Sequence, residues 1–133
     1  MIGLARTWRE IPQRYRYEAA RCDKCDKIHF PPRVACACGH RKFTKHILSG
    51  KGKLETFTVI RVAPSGFEDE SPYAVGIIAM PEGVKVTGQV VDCEVDKLKI
   101  GDPVRLEFRL IQRDGHEGIL CYGYKFVPDV PLK

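Results

Sequence analysis

Four of the six cysteines lie close together in the sequence, in two pairs whose spacing suits a metal ion. The first pair is Cys22 and Cys25, and ten residues separate it from the second pair, Cys36 and Cys38. Two short turns that each supply two thiolates can surround one zinc ion tetrahedrally. Because the second pair is one residue shorter than the first, His40 is an alternative ligand there. The pattern predicts one structural zinc ion.

Disulfide bonds, a metal-free ribbon and a redox or catalytic site are the alternatives for these four thiols. The first twenty residues carry charges where a secretory signal would be apolar, and paired thiols in a reducing compartment favour metal over disulfides. Catalysis by zinc needs an open coordination position, which four thiolates do not leave. The other two cysteines, Cys93 and Cys121, fall in strand patterns and are interpreted as small buried residues.

The sequence shows no other catalytic constellation. It contains neither a glycine-rich phosphate loop nor a GxSxG nucleophile elbow, and His29, His46 and His116 are scattered. The acidic run from Glu68 to Glu70 is typical of a solvated loop. We therefore expect a protein that binds other molecules and does not catalyse a reaction.

The charge of the chain is divided unevenly. Residues 1–53 contain 13 Lys and Arg against 4 Asp and Glu, a net charge of +9, whereas residues 54–133 carry −4. A basic N-terminal half attracts phosphates, nucleic acids or acidic protein surfaces, and charge alone does not distinguish them. No stretch approaches the roughly 18 consecutive apolar residues of a membrane helix, so we expect a cytoplasmic protein without a membrane partner.

Strand patterns dominate the second half of the chain and predict an all-β fold. Five of them, separated by turns, favour a five-stranded barrel of the OB type, because closure removes exposed edges. The first, residues 54–62, is expected to place Leu54, Thr56, Thr58, Ile60 and Val62 on one face. The predicted organisation is a helical and extended arm (1–20), a zinc ribbon (21–48) and the barrel (49–133), with the run SGKG at 49–52 as a flexible joint.

The arm before the first cysteine is aromatic and basic. We expect Pro12 to end a short helix near Glu10, because proline interrupts the hydrogen bonding of a helix. The apolar side chains of the arm are Trp8, Ile11, Tyr15 and Tyr17. They lack an obvious local core, so they either pack on the barrel or form a docking surface, and the residues alone leave both interpretations open.

The run RCDKCDKIHFPPRVACACG, followed by KIGDPVRLEF, resembles a family of acyl-CoA-associated proteins with an N-terminal rubredoxin-like zinc ribbon and a C-terminal OB-fold. The similarity covers nearly the whole chain, and its most specific piece is Phe30-Pro31-Pro32-Arg33. Members of this family accompany thiolase-fold enzymes, and one archaeal member bridges acetoacetyl-CoA thiolase and hydroxymethylglutaryl-CoA (HMG-CoA) synthase in mevalonate synthesis. The resemblance implies a non-catalytic scaffold with these two partners. The net charge of +9 over residues 1–53 further suggests that Arg33, in the FPPR segment, lies near a CoA phosphate.

Binding of single-stranded nucleic acid is the competing function, because zinc ribbons and OB barrels both serve it. Barrels that bind single strands place aromatic and cationic side chains on the barrel surface. Here the barrel half is net acidic, and much of its aromatic content alternates as if it faced inward. The sequence therefore favours the scaffold.

Overall fold

A computed structural model describes residues 3–129. The elements are helix α1 (Leu4–Tyr15) and strands β1 (Glu18–Cys22), β2 (Ile28–His29), β3 (Phe43–Ile47), β4 (Lys51–Ile60), β5 (Tyr73–Ala79), β6 (Lys85–Val90), β7 (Pro103–Arg113) and β8 (Leu120–Pro128). Short 3-10 helices cover Glu68–Glu70 and Val95–Lys97. Strands β1 to β3 form an antiparallel sheet in the order β2-β1-β3, and β4 to β8 close a barrel in the order β4-β5-β6-β8-β7. The predicted all-β fold, with a helix, a ribbon and a five-stranded OB-type barrel, is confirmed.

The barrel closes through two short contacts between strands that are distant in the sequence. Strand β6 pairs with β8 in parallel at Val90 and Phe126 alone, and β4 meets β7 only over its first three residues. Phe126 is fully buried, and an added Cβ on Gly88 would lie 2.6 Å from its ring. Gly88 therefore permits the close backbone approach that a glycine inside a strand pattern indicates.

The alternation expected for residues 54–62 is wrong beyond Leu54. A register shift between Leu54 and Thr56 marks a bulge in β4, and it turns Phe57 toward the core while Thr56 becomes exposed. Because a bulge adds one residue to one strand, it reverses the side-chain alternation that follows. Val62 lies beyond the strand and is 89% exposed.

The helix does not end near Glu10 but continues past Pro12 to Tyr15. Proline removes one helical hydrogen bond, yet two contacts hold the last turn in place. Arg14 pairs with Glu10 at 2.6 Å, and the Tyr15 ring meets Phe108 edge-on at 5.2 Å between centroids. Tertiary packing thus outweighs the local effect of Pro12.

The ribbon sheet packs against the barrel and shares its hydrophobic core. Ala19 in β1 and Leu48 just after β3 lie at the same end of that sheet, and both belong to the same buried cluster as the barrel residues. The Tyr17 hydroxyl donates to the carbonyl of Leu106 at 3.2 Å, so this arm residue packs on the barrel. The run at 49–52 is not a flexible joint, because β4 begins inside it and the Gly50 carbonyl accepts the N–H of Leu106.

Candidate metal centre and docking surface

Two tight turns of the ribbon present the four clustered cysteines. In the first turn the N–H of Cys22 donates to the carbonyl of Lys27, and in the second the N–H of Cys36 donates to the carbonyl of His40. The second turn is therefore one residue shorter, which accommodates the CxC spacing. It is tightened by Gly39, whose φ of 81° lies in the left-handed region that glycine adopts at little cost.

The sulfur atoms lie where one tetrahedral metal ion would hold them. All four fall within 4.8 Å of one another, with 3.6 Å between Cys22 and Cys38 and 3.5 Å between Cys25 and Cys36. Zinc–sulfur bonds of about 2.3 Å in a tetrahedron place the sulfurs about 3.8 Å apart, so the geometry fits zinc. The ring of His40 does not belong to this group of ligand atoms.

The thiols of the cluster differ in their readiness to ionise. Burial disfavours the thiolate of Cys22, but N–H groups of Cys25 and Lys24 donate to its sulfur, and the balance lowers its pKa to about 7. At Cys25 the N–H of Lys27 favours the thiolate, but the Cys36 thiol and burial outweigh it and raise the pKa to about 12. Adjacent thiols resist joint ionisation, and a divalent cation removes that resistance.

One of the histidines that look scattered in the sequence is buried against the metal centre. His29 is 7% exposed, and its Nε2 lies 3.2 Å from Cys36 Sγ. The ring meets Phe43 edge-on at 5.9 Å. The signal that could have found it is the alternation of Ile28, His29 and Phe30, which places the histidine on the opposite face from two apolar neighbours.

The remaining predicted residues lie away from the metal cluster. Cys121 is buried in β8, as expected, whereas Cys93 is half-buried in a bend after β6 and not in a strand. Burial and the nearby Asp92 raise the pKa of the Cys93 thiol, so it is a poor nucleophile. His116 is exposed in the loop between β7 and β8.

Arg33 is exposed on the loop between β2 and β3. Together with Lys45 it lines a hollow of about 310 Å³ on the ribbon. Ala19, Ala20 and Phe43 also line this hollow, and so does Glu18, whose carboxylate accepts from Lys45 Nζ at 3.1 Å. Because Glu18 already pairs with Lys45, Arg33 is the cation of this hollow that suits an anionic group attached to an apolar body.

The interpretation of the run from Glu68 to Glu70 as a solvated loop is wrong for its last member. Both carboxylate oxygens of Glu70 accept from Lys125 Nζ, at 2.9 and 2.8 Å, and Gln89 also donates to this carboxylate. Lys125 lies on β8 and is 5% exposed. The loop is therefore anchored by an ion pair between residues 55 positions apart, which no local pattern reveals.

One face of α1 is apolar and largely exposed. Leu4, Trp8 and Tyr15 are 66, 73 and 62% exposed. Their spacing of four and seven residues places them on one helix face, and we call these three residues the α1 stripe. Ile11 is half-buried at the same face. Within residues 3–129 no helix is long and apolar enough to cross a membrane.

Comparison with known proteins identifies the architecture. Residues 9–44 match the family model of the ChsH2 rubredoxin-like zinc ribbon domain, and residues 46–109 match that of the ChsH2 C-terminal OB-fold domain. A DUF35 domain-containing scaffold protein of Methanocaldococcus jannaschii is 44% identical over 127 residues, which cover 94% of this chain and 90% of that protein.

The names of two further similar proteins describe a subunit of an acyl-CoA enzyme and a part of an enzyme assembly. Benzoylsuccinyl-CoA thiolase subunit BbsA of Geobacter metallireducens is 28% identical, over 80% of this chain and 70% of that protein. A chain in the solved structure of the Ltp2-ChsH2(DUF35) aldolase aligns over 97% of this chain and 98% of its own length, with a TM-score of 0.74 and 27% identity. The resemblance found in the sequence is confirmed, and the chain belongs to the DUF35 family of zinc ribbon and OB-fold proteins.

Proposed function

We propose that the protein is a non-catalytic scaffold subunit that joins acetoacetyl-CoA thiolase to HMG-CoA synthase. Relatives named as a scaffold protein and as a thiolase subunit support an accessory role beside acyl-CoA enzymes. The observation that carries the proposal is the uncovered α1 stripe. Leu4 and Trp8 leave large apolar surfaces in water on a helix that is otherwise packed on the barrel. A scaffold needs such a surface, and a self-contained protein does not.

The composition of α1 indicates what kind of surface would cover it. Tryptophan, tyrosine and arginine are the residues most enriched in interface hot spots. Helix α1 and its C-cap residue contain four arginines and one acidic residue, Glu10. The arginines are Arg6, Arg9, Arg14 and Arg16. Arg6 and Arg14 both pair with that glutamate, whereas Arg9 donates to a backbone carbonyl of its own helix. The matching partner surface is an apolar cleft with an acidic rim, since a second copy of this basic helix would be repelled.

A bridge also needs a second docking surface, which we assign to the ribbon loop. Val34 is 85% exposed there, next to Arg33. The exposed cations of the ribbon are Arg21, Lys24, Lys27, Arg33, Arg41, Lys42 and Lys45. In this proposal the second enzyme covers Val34, and Arg33 contacts a phosphate of CoA at the hollow that it lines. The exposed position of Arg33 beside a partly apolar hollow supports that assignment.

Zinc has a structural role in this proposal, with Cys22, Cys25, Cys36 and Cys38 as its ligands. When bound, the ion replaces the missing hydrophobic core of the small ribbon and supplies folding free energy. The four thiols fill a tetrahedron, so no position stays open for a substrate. The ribbon loop that carries Val34 and Arg33 is thereby held in one conformation. We expect the isolated protein to show no thiolase, synthase or hydrolase activity.

Reconstitution with the purified thiolase and synthase from the same organism tests the proposal. We expect one complex that contains all three proteins in size-exclusion chromatography. Trp8→Ala should weaken binding of one enzyme about thirtyfold, the equivalent of about 2 kcal/mol for one hot-spot residue. Its melting temperature should barely change, because the side chain is 73% exposed. Val34→Asp should instead weaken binding of the other enzyme.

Ile100→Ala is the matched control, because Ile100 is 70% exposed on a barrel loop outside both proposed surfaces. If neither enzyme binds the unmodified protein, the scaffold proposal is wrong. If both bind and Trp8→Ala changes neither affinity, the assignment to α1 is wrong. Salt-sensitive binding of a labelled single-stranded oligonucleotide, in the absence of enzyme binding, would favour the nucleic-acid function instead.

A further inference from the structure

We propose that His29 is a positioning residue of the zinc centre, which donates a hydrogen bond from Nε2–H to the thiolate of Cys36. The two atoms lie 3.2 Å apart, within the range of a hydrogen bond to sulfur. Both residues are buried, at 7% and 6% exposure. The contact therefore stands in a site from which water is largely excluded, where a polar group needs a partner.

The backbone directs this side chain to the metal centre. Strand β2 consists of Ile28 and His29, and its pairing with β1 places His29 opposite Ala20. Successive side chains of a strand point to opposite faces. Ile28 and Phe30 accordingly pack against the barrel core, and the Phe30 ring lies 5.2 Å from that of Tyr124. The histidine between them faces the cysteines, so β2 links the barrel to the metal centre.

The chemistry of a metal-bound thiolate decides which atom donates. A thiolate has no proton and can only accept, so an attractive contact requires the proton on Nε2. Four thiolates around a divalent zinc ion leave the centre with two negative charges. The backbone N–H groups of Lys24 and Cys25 already donate to the sulfur of Cys22. His29 supplies a corresponding donor to Cys36, in the other turn.

In this inference His29 donates to the metal ligand Cys36 and is not itself a metal ligand. The four sulfurs already form a compact group, with no ring nitrogen among its atoms. A fifth donor would exceed the tetrahedral coordination that structural zinc adopts. Outer donors of this kind orient the ligands, and their loss typically weakens metal binding about tenfold to a hundredfold.

Substitution of His29 in the full-length, zinc-loaded protein tests this inference. His29→Phe keeps a flat ring beside Phe43 but removes the donor, and His29→Gln restores an N–H. We expect His29→Phe to weaken zinc binding about tenfold to a hundredfold in competition with a chromophoric chelator. His29→Gln should recover most of that loss. His46→Gln is the matched control, because His46 lies in β3 of the same sheet. This change should leave the zinc affinity unchanged.

Cobalt substitution gives a second measurement, which a purely structural role of His29 would not affect. The sulfur-to-cobalt charge-transfer bands should shift in His29→Phe, because the Cys36 thiolate loses its donor, and should return in His29→Gln. If His29→Phe does not fold, His29→Leu and His29→Asn offer the same comparison, since they are close in volume and differ in the donor. Unchanged affinity and unchanged bands in the donor-free variant would overturn the inference. A ligand-field spectrum of three sulfurs and one nitrogen in the unmodified protein would overturn it also, because His29 would then be a ligand.

Discussion

The ion pair between Lys125 and Glu70 leads to an asymmetric prediction for stability. The Lys125 side chain is 6% exposed, whereas that of Glu70 is 35% exposed. Gln89 donates to the same carboxylate, so Glu70 keeps a protein partner and some water if the lysine is removed. Lys125 has no comparable access to water. The cost of breaking the pair should therefore depend on which partner is changed.

The exposures translate into different free energies of unfolding. Glu70→Gln leaves an ammonium group buried without a counter-charge, and we expect it to cost about 3 kcal/mol, at the lower end for a broken buried pair. Lys125→Met replaces the ammonium with a side chain of similar length and leaves the carboxylate partly hydrated. We expect this change to cost about 1 kcal/mol, the scale of one hydrogen bond. The double variant should cost clearly less than the sum, because neither charge is then left alone.

Urea unfolding with zinc in excess measures these differences in the free energy of unfolding. In a separate thermal unfolding experiment, the melting temperature should fall by about 4 °C per kcal/mol for a chain of this size. Asp69→Asn is the control, since Asp69 is exposed in the same short helix. If Lys125→Met destabilises the protein as much as Glu70→Gln or more, the argument from burial is refuted. Additive effects in the double variant would show that the two side chains are not energetically coupled.

Four further outcomes follow from the described contacts. Gly88→Ala should destabilise the barrel by about 2 kcal/mol in thermal unfolding, because its Cβ would lie 2.6 Å from the Phe126 ring. Elemental analysis should find one zinc ion per chain, and full zinc affinity in Cys36→Ser would contradict the ligand set. Burial of Glu82 is outweighed by the Ser49 N–H, which lowers the pKa of the carboxyl group. The stability that the Glu82 carboxylate contributes to the folded protein is therefore present at neutral pH and lost below about pH 4. Glu82→Gln should reduce this dependence of stability on acid. Chelation should increase hydrogen exchange in the three-stranded sheet before it does so in β5, whereas simultaneous opening would show one cooperative unit.

The sequence was most informative where the interacting groups are local. The cysteine pairs lie in two short turns, so their spacing alone predicted that the four sulfurs would meet. The strand pattern around Cys121 likewise predicted a small buried residue, and Cys121 is buried in β8. Short-range geometry decides these features, because the period of a strand and the reach of a tight turn are properties of the chain itself.

Features that depend on distant contacts could not be predicted. Pro12 is a helix breaker by local rules, and the packing of Tyr15 on the distant Phe108 helps to hold the helix beyond it. The pairing of Glu70 with Lys125 joins the short helix after β4 to strand β8, and no local pattern relates the two. In each case a long-range interaction outweighs a local preference of comparable size, so a single sequence is insufficient to decide between them.

The way in which the ribbon meets the barrel bears on the scaffold function. Ala19 and Leu48 are buried in the barrel core, and the Phe30 ring packs against that of Tyr124. The barrel has its own closed ladder of strands, but the ribbon has only three short strands and the metal centre. The ribbon therefore depends on both zinc and the barrel, whereas the barrel depends less on the ribbon. This arrangement fixes the ribbon loop relative to α1, and the proposed bridge between two enzymes requires its two proposed docking surfaces to be fixed in this way.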